Sequence, residues 1–263
     1  MKNFIKGIIF TILVVLVGLF IYSKFVNKED NEEFVKLNGD ELQKLLEKVN
    51  YNCNDLLSHN TYCKEYYSKD KVMITDLSNN FKATIAKDYV LERAYKNVKL
   101  SDGTVQYYYD GEMIKTAYEE IFGEGTYKAA DELYSIYGGT MAEYDKQTGN
   151  YIINTENGGG FAGFEPTHEH IILSSKQDKN QVKITVALYN YTTIENVNEY
   201  KEMGAEYTGD LVDCTNNKVV AVKKDDETWS EFIKNNTNKL NHYEFTFNKE
   251  NNNYILYSVE KVN

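Results

Sequence analysis

Residues 7–23, GIIFTILVVLVGLFIYS, run for seventeen positions without a formal charge. Crossing roughly 30 Å of hydrocarbon takes about 17 to 25 apolar residues, with every backbone polar group bonded inside the helix. From Ile5 to Val26 the apolar stretch is interrupted only by Lys6 and Lys24, whose long stems reach the head groups from either end. The segment therefore predicts a transmembrane helix that stays attached as an anchor. A cleaved secretory signal shares the lysines and the apolar core but needs small residues at its cut site. Tyr22, Ser23, Lys24, Phe25 and Val26 offer none. A buried core helix is the third reading, disfavoured because the segment is apolar around its whole circumference. Lys2 and Lys6 balance Lys24 and Lys28, so the positive-inside count is level, and the free amino terminus adds charge to the short side. The expectation is a single-pass protein of the cell membrane, N-terminus in the cytoplasm and C-terminal domain extracytoplasmic.

Removing the four lysines of the first 28 residues leaves 25 basic against 40 acidic residues, a formal charge of −15. Such a domain repels phosphate backbones, which excludes nucleic acid as a partner. Its acidity reads as a solvated surface, or as a surface for cations or a basic partner. Three cysteines, Cys53, Cys63 and Cys214, are too few for a disulfide scaffold. Outside the cytoplasm Cys53 and Cys63 can close the short loop between them, a bridge that contributes about 2 to 3 kcal/mol. Cys214 then packs unpaired as a small hydrophobe.

The chain divides into a cytoplasmic tip and anchor (1–28), a polar spacer (29–39) and one extracytoplasmic domain (40–263). Leu42, Leu45, Leu46, Val49, Cys53, Leu56 and Leu57 recur at helical spacings and predict an amphipathic helix over about 40–57. Lys71–Ile74 reads as extended. Asp76 or Ser78 can cap a second helix carrying Phe81, Ile85 and Tyr89. Val105–Tyr109 reads as a strand, and Asp110 caps a third helix whose apolar positions are Met113, Ile114, Ala117, Tyr118, Ile121 and Phe122, stopped by Gly123. After Thr140 the texture changes to hairpins around KQTG, KQDKN and NKENNN, interrupted by a short helix over Trp229–Leu240 with Thr228 as its cap. The fold class is α+β: after the transmembrane helix, helices packed on one mostly antiparallel sheet.

The densest group of reactive side chains is FEPTHEH, with Glu165, His168, Glu169 and His170. In an extended strand His168 and His170 point the same way, as two metal-binding imidazoles would, with a third ligand from Glu165, His59 or His242. This is not the helical HExxH of zinc peptidases, and a polar strand after a turn at Pro166 is the plainer reading. Gly158, Gly159, Gly160 and Gly163 form a permissive loop just before it, without the lysine and Ser/Thr spacing of a phosphate cradle. No nucleophile motif is present, and the chain calls for no cofactor. The expected contact region is Gly159, Gly160, Glu165, His168 and His170.

EYYSKDKV at Glu65–Val72, MIKTAYEEIFG at Met113–Gly123, YDKQTGNY, the glycine loop and the closing YEFTFNKENNNYILYSVEKV together resemble a group of membrane-anchored proteins of low-GC Gram-positive bacteria. The resemblance covers most of the domain and implies an anchored extracytoplasmic protein. Its motifs are caps, turns and hairpins, so it carries no catalytic residues. Phe161 and Ala162 stand where that group's glycine loop often holds cysteine, which argues against a redox role. The expected function is a non-catalytic binding or interaction module. Its partners are the bilayer, through residues 5–26, and an envelope protein or glycan. The alternatives are a metal-dependent envelope hydrolase using His168 and His170, and an accessory subunit of a membrane complex.

Overall fold

A computed structural model of the chain describes residues 36–49, 65–135, 139–153, 169–193, 207–216, 218–224 and 227–263. Lys36–Asn263 forms one compact unit. Among the described residues no helix is long and apolar enough to cross a membrane, and residues 5–26 lie outside them.

The chain is α+β, and its strands make two antiparallel sheets where the sequence suggested one. Helix α1 (Gly39–Lys48) opens on a capping box, Asn38 and Glu41 each accepting the other's backbone N–H. It ends at the Val49 cap, where β-branched and Asn residues give poor helix propensity. The expected helix ran to 57, and 50–57 lie outside the described residues. Strand β1 (Lys71–Met73) leads through a 3-10 turn to α2 (Asn79–Tyr89), capped by Ser78, whose hydroxyl accepts from the Phe81 N–H. A single turn, α3 (Leu91–Ala94), joins it to β2 (Tyr95–Lys99) and β3 (Val105–Tyr109). Asp110 then caps α4 (Gly111–Phe122), which stops at Gly123 with φ of +107°. Next come β4 (Glu132–Tyr134), the hairpin β5 (Thr140–Asp145) and β6 (Asn150–Ile153), β7 (Glu169–Gln177), β8 (Gln181–Thr193), β9 (Tyr207–Asp213) and β10 (Lys218–Lys224). Helix α5 (Trp229–Asn236), held by a Thr228–Glu231 capping box, precedes the closing hairpin β11 (His242–Glu250) and β12 (Asn253–Lys261).

One sheet runs β2-β3-β6-β5-β4; the other runs β1-β12-β11-β8-β9-β10, with β7 also paired to β8. Helices α2 and α4 pack on each other and serve both sheets, α4 against β12 and β6, and α2 against β4. A chain of rings, Phe81 to Tyr66 to Phe245 with centroids 5.0 and 6.1 Å apart, ties α2 to β11 through the main core. Strand β8 is apolar on both faces because its side chains alternate. Val182, Ile184, Val186 and Leu188 enter the main core, while Ala187, Tyr189 and Tyr191 face a second core under α5, with Phe232, Ile233 and Leu240. At the edge, β10 leaves Val219 (55%) and Val222 (48%) exposed, and its pairing with β9 breaks register twice.

The tightest joint is at the start of α4. A Cβ on Gly111 would lie 1.8 Å from the carbonyl oxygen of Gly149, in the β5–β6 turn, and the Gly111 N–H donates to Asn150 Oδ1 at 3.1 Å. Gly149 itself has φ of +73°. Since the Gly149 carbonyl belongs to the main chain, it cannot swing aside. Gly111→Ala is expected to lower stability by about 2 to 4 kcal/mol. Urea denaturation followed by circular dichroism will read this as an earlier midpoint with an unchanged slope.

Candidate functional site

Of the expected contact residues, His170 is described and sits near the start of β7; Gly159, Gly160, Glu165 and His168 lie outside the described residues. The His170 ring presents Nε2 to Gln43 Oε1 of α1 at 2.7 Å, a contact that docks the helix against the β7 edge. His242 likewise places Nε2 2.8 Å from the Thr237 carbonyl. Among the described residues no three His, Cys, Asp or Glu side chains gather as a metal site.

Cys214 is disulfide-bonded and 1% exposed, which corrects the expectation that it packs unpaired. In a chain of three cysteines its partner can only be Cys53 or Cys63. Cys53 and Cys63, for which a bridge to each other was expected, both lie outside the described residues. Cys214 falls in the turn after β9, inside the main core, so its expected burial holds while its expected free thiol does not. The turn is rigid. Buried Asp213 accepts from Thr215 N–H (3.0 Å), Thr215 Oγ1 (2.7 Å) and the Asn241 N–H (2.7 Å), so its charge is satisfied by three donors.

Among the described residues, two clefts lie along α4. A cleft of about 340 Å³ opens between α3 and the first three turns of α4, floored by Val90 and Ala117 and ringed by Arg93, Asp110, Glu112, Met113, Thr116 and Glu120. A second, of about 400 Å³, continues from Glu120 past Gly123 and Glu124 to Glu250 and Asn251–Asn253 of the β11–β12 hairpin. Met113, expected on the apolar stripe of α4, is exposed here instead. Glu120 joins the two. Its Oε1 receives Lys48 Nζ at 2.6 Å and Tyr89 OH at 3.2 Å, and its carbonyl accepts Asn253 Nδ2 at 2.7 Å. Burial, then the Glu120 carboxylate, raises the Tyr89 pKa, so the phenol stays a donor. Asp110 is committed to the N–H groups of Glu112 and Met113.

A second chemical anomaly is Lys87, 3% exposed between α2 and the five-stranded sheet. Its Nζ lies 2.5 Å from Asp88 Oδ1, 3.7 Å from Met141 Sδ and 5.7 Å from the centre of the Tyr109 ring. Burial lowers its pKa to about 7. The adjacent Asp88 pulls the other way, since a carboxylate favours the ammonium. Burial is the larger effect because the Asp88 side chain keeps 13% of its surface in water and is screened there, whereas the amine has none to speak of. Helical periodicity did not single out Lys87. A signal was present in Ala83 and Ala86 beside it, small residues that let a helix be covered on two sides. Arg93 was also missed, though it is the one arginine in the sequence.

Comparisons of the chain with protein-family models, with curated proteins and with solved structures find no match. The geometry above therefore carries the functional reading.

Lys87 makes stability depend on pH. Its folded pKa of about 7 lies below the ordinary 10.5, so between those values the unfolded chain binds a proton that the folded chain lacks. Stability should rise with pH across that window, by at most about 1.4 kcal/mol per unit, with the full penalty standing below its lower end. Urea titrations from about pH 7 to 9.5, before tyrosines ionise, are expected to show this slope in the native chain and a flatter one in Lys87→Met.

Proposed function

We propose that this chain is a membrane-tethered binding module whose folded unit, residues 36–263, works on the extracytoplasmic side. The observation that carries the reading is the bonded state of Cys214. Disulfides form and persist in oxidising compartments and are rare in the cytosol. A bridge from Cys214 to Cys53 or Cys63 closes a loop of well over a hundred residues and contributes about 4 to 5 kcal/mol in the chain-entropy account. The apolar segment 5–26 supplies the tether, long enough to span a bilayer. Binding is supported by the two clefts that meet at Glu120, whose volumes fall in the range of small-ligand sites. The net negative domain favours ligands that are neutral or cationic over polyanions.

Full-length protein carrying a C-terminal epitope, expressed in bacteria, is expected to sediment with membranes after alkaline washing. The epitope should be destroyed by protease added to intact spheroplasts, and non-reducing peptide mapping should find Cys214 joined to Cys53 or Cys63. Protein left in the soluble fraction, an epitope protected until lysis, or Cys214 recovered as a free thiol would each defeat the reading.

A further inference from the structure

We propose that the cleft between α3 and α4 binds an aliphatic zwitterion, an amino acid or a short peptide, with its carboxylate on Arg93 and its ammonium on Glu112. Four charged side chains line this cleft, and two of them are already engaged. Asp110 caps α4, and Glu120 takes Lys48 and Tyr89. The Arg93 side chain makes no hydrogen bond or ion pair with another described residue, its one charge contact being the long-range pull on the Tyr89 phenol, so its fork of five donors lines the cleft unspent. Glu112 stands with its side chain 87% exposed, and its only cationic neighbour among the described residues, Lys115, is 3.8 Å away, too long for a hydrogen bond. One cation without an ion pair and one anion held only by a long pair along its own helix are thus left, and they do not pair with each other. A planar guanidinium suits a carboxylate, which it holds through two parallel bonds. The carboxylate of Glu112 suits a primary ammonium.

Between these groups the cleft is apolar: Val90 and Ala117 are buried in its floor and Met113 lies exposed at its margin. A thioether side chain with three rotatable bonds adapts to aliphatic groups of differing shape. The cleft of about 340 Å³ accommodates a molecule of amino-acid to dipeptide size. A phosphate or a nucleotide is disfavoured by the three carboxylates around the single arginine, and a simple diamine would leave Arg93 facing a second cation.

This assignment rests on the binding reading above and is tested separately from the membrane location. Purified full-length protein in detergent is titrated by calorimetry with L-leucine and with alanyl-leucine, to separate a free amino acid from a peptide. The controls are 4-methylpentanoate, which lacks the ammonium, and 3-methylbutylamine, which lacks the carboxylate. At least one zwitterion is expected to bind, with each control weaker by about tenfold or more. Arg93→Gln and Glu112→Gln should each weaken the zwitterion by about tenfold or more while melting like the native chain, because neither side chain holds the fold together. Absence of binding by both zwitterions at about 10 mM, equal binding of either control, or unchanged affinity in Arg93→Gln would overturn the proposal. None of these results bears on whether Cys214 is bridged or on which side of the membrane the unit lies.

Discussion

Two helices sandwiched between two sheets set the terms for this domain. Helix α4 gives one stripe to β12 and another to β6, while α2 meets α4 on one side and β4 on another. Burial on more than one side demands small or apolar residues around most of the circumference, as Phe81, Ala83, Ile85 and Ala86 provide on α2. It also explains two oddities. Lys87 falls on the side of α2 turned to the five-stranded sheet and so must be accommodated inside. On α4, only a narrow strip is left for charge, and its acidic groups are gathered along the cleft instead of being spread over a broad surface.

Local signals were the legible part of the fold. Ser78, Asp110 and Thr228 cap the helices as expected, Gly123 ends α4, and the three hairpins turn where polar residues cluster. Each of these depends on a few neighbouring residues and their backbone donors. The partition into two sheets was not legible, because it rests on distant pairings such as Lys71 with Glu260 and Tyr109 with Tyr151. Strand β2 went unread for a related reason: in YKNVK all but Tyr95 are exposed, so no apolar alternation marks it. At the site, His170 stood out in the sequence, yet its Gln43 partner lies 127 positions away. Arg93 carried a compositional signal that periodicity ignores.

The buried polar groups fall into two kinds. Asp213 is fully satisfied by short bonds to its own turn and to Asn241, and so fixes the ground on which Cys214 sits. Lys87 is poorly satisfied: a thioether, an aromatic face and one carboxylate replace the water that an ammonium would otherwise hold. The first arrangement holds in place the turn after β9 that carries the disulfide-bonded Cys214. The second leaves the contact of α2 with the five-stranded sheet sensitive to protons near neutrality.

The double break in register between β9 and β10 has a bearing on how the protein behaves in a crowd. A straight border strand offers its outward amides and carbonyls in a regular row, which a neighbouring molecule can extend into a shared sheet. Each irregularity in β10 rotates part of that row out of line. Lys218 and Lys224 set like charges at both ends of it. Val219 and Val222 can therefore stand in water on an outer strand without making every collision between copies the seed of a fibril.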